Sequence, residues 1–227
     1  MQDKPIFNAQ STGVDSGASS AIQTNKVLRN TYMLLAMTLL FSAVTAAGSM
    51  MIGLGSGAAL LMWVVSLGLL FFVLPRTENS ASGIWVVFAV TGLLGASLGP
   101  MLSHYLSLAN GPSLIMQSLA GTAIVFFGLS GYVLTTRKDF SFMGGFLMVG
   151  MMLALVGIIA NMFLQIPAMS LALSAGIVLI MSGFILFDTS RIINGGETNY
   201  IRATIGLYLS ILNIFIHLLS LLGIMDD

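Results

Sequence analysis

Seven long apolar runs alternate with short polar segments along this chain. They are Tyr32–Ile52, Ala58–Leu74, Ile84–Leu106, Leu114–Leu134, Phe142–Leu164, Met169–Phe187 and Ala203–Ile224. Roughly 20 apolar residues cross a bilayer as a helix, and backbone groups in hydrocarbon must bond within their own segment. The pattern therefore predicts an all-α integral membrane protein with seven transmembrane helices, here spans 1–7. Residues 1–25 carry no such run. They are polar, rich in Ser, Gly, Ala and Gln, and lack the apolar core of a signal peptide. They read as a flexible cytoplasmic N-terminal tail, with residues 26–227 forming the membrane domain.

Composition agrees with this division. Hydrophobic residues make up 57% of the chain and charged residues 7%, against about 25% charged in a soluble domain. Too little polar surface remains to coat a globule in water, so membrane lipids are the expected surroundings. There are no cysteines, which removes disulfides, thiolate catalysis and cysteine metal sites. The two histidines, His104 and His217, stand too far apart for metal-ligand spacing, so neither metal nor cofactor is expected. A formal net charge of zero gives no basic footprint for nucleic acid.

The basic residues sort by loop. Lys4, Lys26 and Arg29 precede span 1, Arg76 follows span 2, Arg137 and Lys138 follow span 4, and Arg191 and Arg202 lie between spans 6 and 7. Seven threaded spans put all of them on one side. The intervening loops, Gly53–Gly57, Ala109–Ser113 and Gln165–Ala168, carry no charge. By the positive-inside rule the N-terminus is cytoplasmic and the C-terminus lies outside. Losing any one span would scatter the basic residues across both faces. Pro100, following Gly99 late in span 3, is expected to kink or end that helix.

Small and polar residues mark the faces that pack. In span 7, Ala203, Gly206, Ser210, Asn213, His217 and Ser220 recur on one stripe. Such side chains bring helices close and hydrogen-bond across interfaces in lipid, so span 7 is expected to turn this stripe inward. Gly92, Gly95 and Gly99 in span 3, Gly121 and Gly128 in span 4, and Gly150, Ala154, Gly157 and Asn161 in span 5 read as further packing seams.

Catalytic pairings fail on depth. Gly128-Leu129-Ser130-Gly131 fits the GxSG pattern of rhomboid intramembrane proteases, whose serine pairs with a histidine. At 1.5 Å per residue Ser130 lies about 6 Å from the cytoplasmic end of its span and His217 about 21 Å, a gap of ~15 Å. A serine–histidine pair needs hydrogen-bond reach. An aspartyl protease needs two facing acids, and the spans offer only Asp188. No enzymatic activity is expected.

Asp188 ends the sixth apolar run in the segment FDTSRIINGGETNYIRAT. An ionisable group at that depth is costly and marks a functional candidate. It has two readings. It pairs with Arg191 one turn on and anchors the helix end. Alternatively it points inward, partly desolvated, with Ser210, Asn213 and His217 of span 7 as partners in pH sensing or gating. Arg191, Glu197 and Arg202 are candidates for a cytoplasmic ion-pair cluster.

FDTSRIINGGETNYIRATIGLYLSILNIFIHLLSLLG resembles the last two spans of the transmembrane Bax inhibitor motif family. The resemblance is sharpest over Phe187–Gly223 and extends loosely, through span count and loop charge, over residues 25–227. It implies six helices arranged around a central seventh. It also implies a bacterial inner-membrane protein that binds and modulates the membrane AAA protease FtsH without catalysis of its own. The N-terminal tail would then be a handle for proteolysis. Some family members resemble pH-gated calcium leaks, in which an acid ending span 6 faces a second acid on span 7. Asp188 matches the first; Ser210 stands where the second belongs. One acid and a hydroxyl make a weak calcium site, which argues against carrying over the calcium-leak mechanism. A pH-gated cation or calcium leak centred on Asp188, beside the Ser210–Asn213–His217 stripe, is the alternative function, with weak cation binding at most.

Overall fold

A computed structural model describes residues 12–226. Among these residues the chain is helical, without strands. Seven helices are long and apolar enough to cross a membrane: Gln23–Met51, Ser56–Thr77, Ser82–Leu106, Gly111–Thr136, Ser141–Leu164, Pro167–Ile193 and Tyr200–Asp226. Each maps onto one predicted run, and most overrun it. Backbone bonding does not stop where side chains turn polar; it stops at a residue that leaves helical dihedrals. Arg137 and Gln165 do so in the left-handed region, both at φ 52°, and Gly195 at φ 76°. Span 6 thus continues one and a half turns beyond Phe187, and Asp188 lies inside the helix.

The first helix starts at Thr12. The later half of the segment read as a flexible tail is therefore helical, since a helix nucleated in a packed span extends outward at little cost. Residues 1–11 of that tail lie outside the described residues.

Prolines shape two spans. In span 2 the helix widens to a π turn over Leu69–Val73 before its last α turn, Leu74–Thr77. Pro75 has no N–H for the Phe71 carbonyl, and the wider turn accommodates the missing bond. Span 3 breaks at Leu98, between Ser82–Ser97 and Gly99–Leu106, with Pro100 in the first turn of the second piece.

Glycines let the spans close up. A Cβ at Gly92 would come 2.6 Å from the Phe41 ring, while Gly95 and Gly99 press on Ser42 and Ser49 of span 1. Gly150 and Gly157 of span 5 meet Ile180 and Leu173 of span 6. In span 4, Gly121 meets Leu218, but Gly128 faces open space; Gly128 is therefore not a seam, because no described residue lies against it there.

Span 7 packs against spans 1, 3, 4 and 6, whereas span 5 rests on span 6 and span 2 on span 3. Of its most apolar stretch 44% is buried, against 11% for span 5. The core is built on it: Leu207, Tyr208 and Ile214 are fully enclosed, with Val87, Val90 and Ile185 around them.

Candidate functional site at the polar end of span 6

Span 6 closes on four consecutive polar residues, Asp188-Thr189-Ser190-Arg191. A helix turns about 100° per residue, so four successive side chains address four different neighbours. Thr189 is fully buried and lies 3.4 Å from the Ser130 hydroxyl of span 4, which in turn bonds the Tyr32 hydroxyl of span 1. Ser190 accepts the Phe140 N–H at 3.1 Å, fixing the loop between spans 4 and 5, and donates to the Phe187 carbonyl at 3.0 Å. Arg191 turns to the next loop. It donates to the Gly196 carbonyl at 2.9 Å, pairs with Glu197 at 3.5 Å and lies over the Phe187 ring.

Asp188 takes the remaining direction, toward span 7. It is partly buried, and its carboxylate rests on Gly206: a Cβ there would meet Oδ2 at 2.8 Å. Among the described residues it forms no ion pair, since Arg191 is engaged by Glu197. Arg191 and Glu197 are the charged groups that act on it electrostatically. The Asp188–Arg191 anchor is thus not made.

The stripe on span 7 does not converge on this acid. Ser210 donates to the Gly206 carbonyl at 3.1 Å and Asn213 to the Leu209 carbonyl at 2.8 Å, both within their own helix. His217 reaches across to Ser174 of span 6, Nδ1 to Oγ 3.2 Å. Spans 6 and 7 run antiparallel, and Ser174 lies fourteen residues before Asp188, about 21 Å along the helix. The seam between these spans therefore carries two separate polar contacts, Asp188 on Gly206 and His217 on Ser174. Ser130 of the GxSG segment likewise lies far from His217, held by Tyr32 and Thr189.

The ion-pair candidates divide. Arg191 takes Glu197, whereas Arg202 makes a two-pronged pair with Glu78 of the loop between spans 2 and 3, its Nε–Oε2 arm measuring 3.2 Å. Two parallel N–H···O bonds of this kind fix orientation as well as attraction. Asn199 completes the clasp. Its Nδ2 donates to the Glu78 carbonyl and to Asn79 Oδ1, both at 3.0 Å. Its Oδ1 accepts the Ile201 N–H at 2.9 Å and the Arg202 N–H at 3.2 Å, capping span 7.

Two groups escaped the sequence reading. Glu78 is buried; the available signal was a lone acid in a loop on the same face as Arg202. Tyr208, fully buried mid-span, donates to the Thr91 carbonyl at 3.2 Å and shares a 2.7 Å hydrogen bond with Ser42. It ties spans 1, 3 and 7 together. The signal was a tyrosine deep in an apolar run, whose hydroxyl needs a partner.

These features define a seven-span helical membrane protein whose sixth and seventh spans form a polar seam. The chain belongs to the Bax inhibitor family: the model described as inhibitor of apoptosis-promoting Bax1 matches residues 24–227. It is similar to the modulator of FtsH protease YccA of Escherichia coli, 55% identical over 90% of this chain and 93% of that protein. It is also similar to an uncharacterized membrane protein of Vibrio cholerae, 50% identical over 93% of this chain and 95% of that one. A Pseudomonas aeruginosa protein is 48% identical over 93% and 95% of the two chains.

Proposed function

We propose that this chain is an inner-membrane protein that binds the protease FtsH and restrains its proteolysis, with no catalytic activity of its own. The observation that carries this reading is the 55% identity, over nearly the whole chain, to a protein named as a modulator of that protease. The separation of Ser130 from His217, each bonded elsewhere, supports a non-catalytic role. The one-sided basic residues support a cytoplasmic N-terminus, with the N-terminal segment serving as a handle. The burial of span 7, against which spans 1, 3, 4 and 6 pack, supports a central position for it among the spans. Affinity purification of the tagged chain from detergent-solubilised membranes is expected to recover FtsH. If none is recovered, and removal of residues 1–24 leaves turnover of the chain unchanged, the reading fails.

A second reading rests on Asp188, which faces Gly206 of span 7 without an ion-pair partner among the described residues. In it, Asp188 gates a cation leak along the seam lined by Ser210, Asn213 and His217. Calcium flux into proteoliposomes at several pH values separates this reading from the first. An Asp188→Asn variant with the same pH dependence as the parent chain rejects it.

A further inference from the structure

Spans 1, 3, 4 and 7 enclose a cavity of about 380 Å³ in the half of the molecule away from the basic residues. That volume lies within the roughly 300–1,000 Å³ of ligand pockets. Phe126, Tyr208 and Phe215 form part of its buried floor. Its mouth is formed by Ala43, Ala47, Leu119 and Phe127, which are exposed. Near the basic end, spans 1 and 4 are joined by the Tyr32–Ser130 bond and by the Tyr32 and Phe126 rings, 6.0 Å apart. Beyond that junction the two spans face each other across the cavity.

The mouth sits at bilayer depth. Leu119 and Phe127 lie eight and sixteen residues into span 4, about 12 and 24 Å along it, so the opening faces acyl chains and not water. Among the described residues, none that lines the cavity is charged. Its polar groups are already used: Thr122 donates to the Ser118 carbonyl at 2.7 Å, and Ser42 and Tyr208 bond each other. Water needs two or more free polar partners to occupy such a space. Left empty, the walls lose dispersion contacts outright. Within lipid there is no hydrophobic drive to close the gap, so the fill that restores those contacts is the neighbouring alkyl chain.

We propose that a phospholipid acyl chain enters laterally between spans 1 and 4 and occupies this cavity, reaching Phe215 of span 7. The bound chain would couple bilayer composition to the packing of span 7 against span 1.

Brominated-chain phosphatidylcholine tests this directly, because bromine quenches tryptophan only at short range. The native tryptophans, Trp63 and Trp85, are replaced by Phe, and a reporter is placed on the floor as Phe215→Trp. With the purified chain alone in brominated vesicles, quenching is expected to approach that of a lipid-facing Leu40→Trp reference. Adding Ala43→Phe and Ala47→Phe at the mouth is expected to reduce it several-fold. Should Phe215→Trp fail to fold, Phe126→Trp reports on the same floor. Quenching no greater with the mouth open than with it plugged overturns the proposal. So does a red-shifted, unquenched emission, which would mean that water fills the space.

Discussion

The carboxylate of Asp188 rests on Gly206, at a place on span 7 where a Cβ would lie 2.8 Å from Oδ2. The acid therefore occupies the space a side chain would need. Gly206→Ala forces the carboxylate aside, an overpacking cost of about 1–3 kcal/mol, partly offset by about 1 kcal/mol of alanine helix propensity. A net loss of about 1 kcal/mol is expected in thermal melts of the purified chain. Adding Asp188→Ala should recover most of it, because the two changes act on one contact. Additive losses would show that the carboxylate is not held there.

Glu78 and Arg202 fasten the loop between spans 2 and 3 to the start of span 7. The Glu78 side chain is 7% exposed and that of Arg202 58%, so solvent screens chiefly one partner. Arg202→Ala should cost about 1–2 kcal/mol, mostly because a buried carboxylate is left unpaired. Glu78→Gln should cost less, and the double variant less than the sum. Chemical denaturation of the four variants in detergent yields the coupling energy.

Tyr208→Phe removes a hydroxyl that is fully enclosed and bonded to both Thr91 and Ser42. About 1–2 kcal/mol of stability should be lost, since the Ser42 hydroxyl and Thr91 carbonyl remain buried. Replacing Ser42 by Ala in the same chain should then add little. Comparison of melting curves for the single and double variants checks this.

Asp139, in the loop before span 5, is held below its ordinary carboxyl value of 3.8 by the Ser141 hydroxyl and then by the Ser141 N–H, 2.8 Å away. A depressed carboxyl value means that this stabilisation is present above pH 3.8 and is lost as pH falls through the lower folded value. Ser141→Ala should move the Asp139 titration upward. A carboxyl-carbon NMR titration of the two chains reads the shift, and identical curves would contradict it.

Much of the architecture was legible because lipid imposes a simple rule: a run that cannot satisfy its backbone elsewhere becomes a helix. The break near Pro100 and the glycine seam of span 3 followed from residue type alone. Asp188 was legible as an isolated acid at depth, and its two possible partners could be named. Whether it turns toward Arg191 or toward span 7 depends on a fraction of a turn and on the side-chain rotamer, and sequence spacing cannot supply that angle. Arg191 and Asp188 are spaced to pair, yet Glu197 draws Arg191 away. The span 7 stripe was visible as composition, but Ser210 and Asn213 satisfy themselves on their own backbone, an option open to such residues in any helix. Tyr208 and Glu78 depend on contacts across more than a hundred residues, beyond any local pattern.

The rate at which FtsH degrades a membrane substrate in proteoliposomes, with and without this chain, tests the proposed function most directly. Degradation is expected to slow as the chain is titrated in, and to recover when it is omitted. A rate that stays unchanged at excess chain, with both proteins correctly inserted, would contradict the assignment as a modulator of that protease.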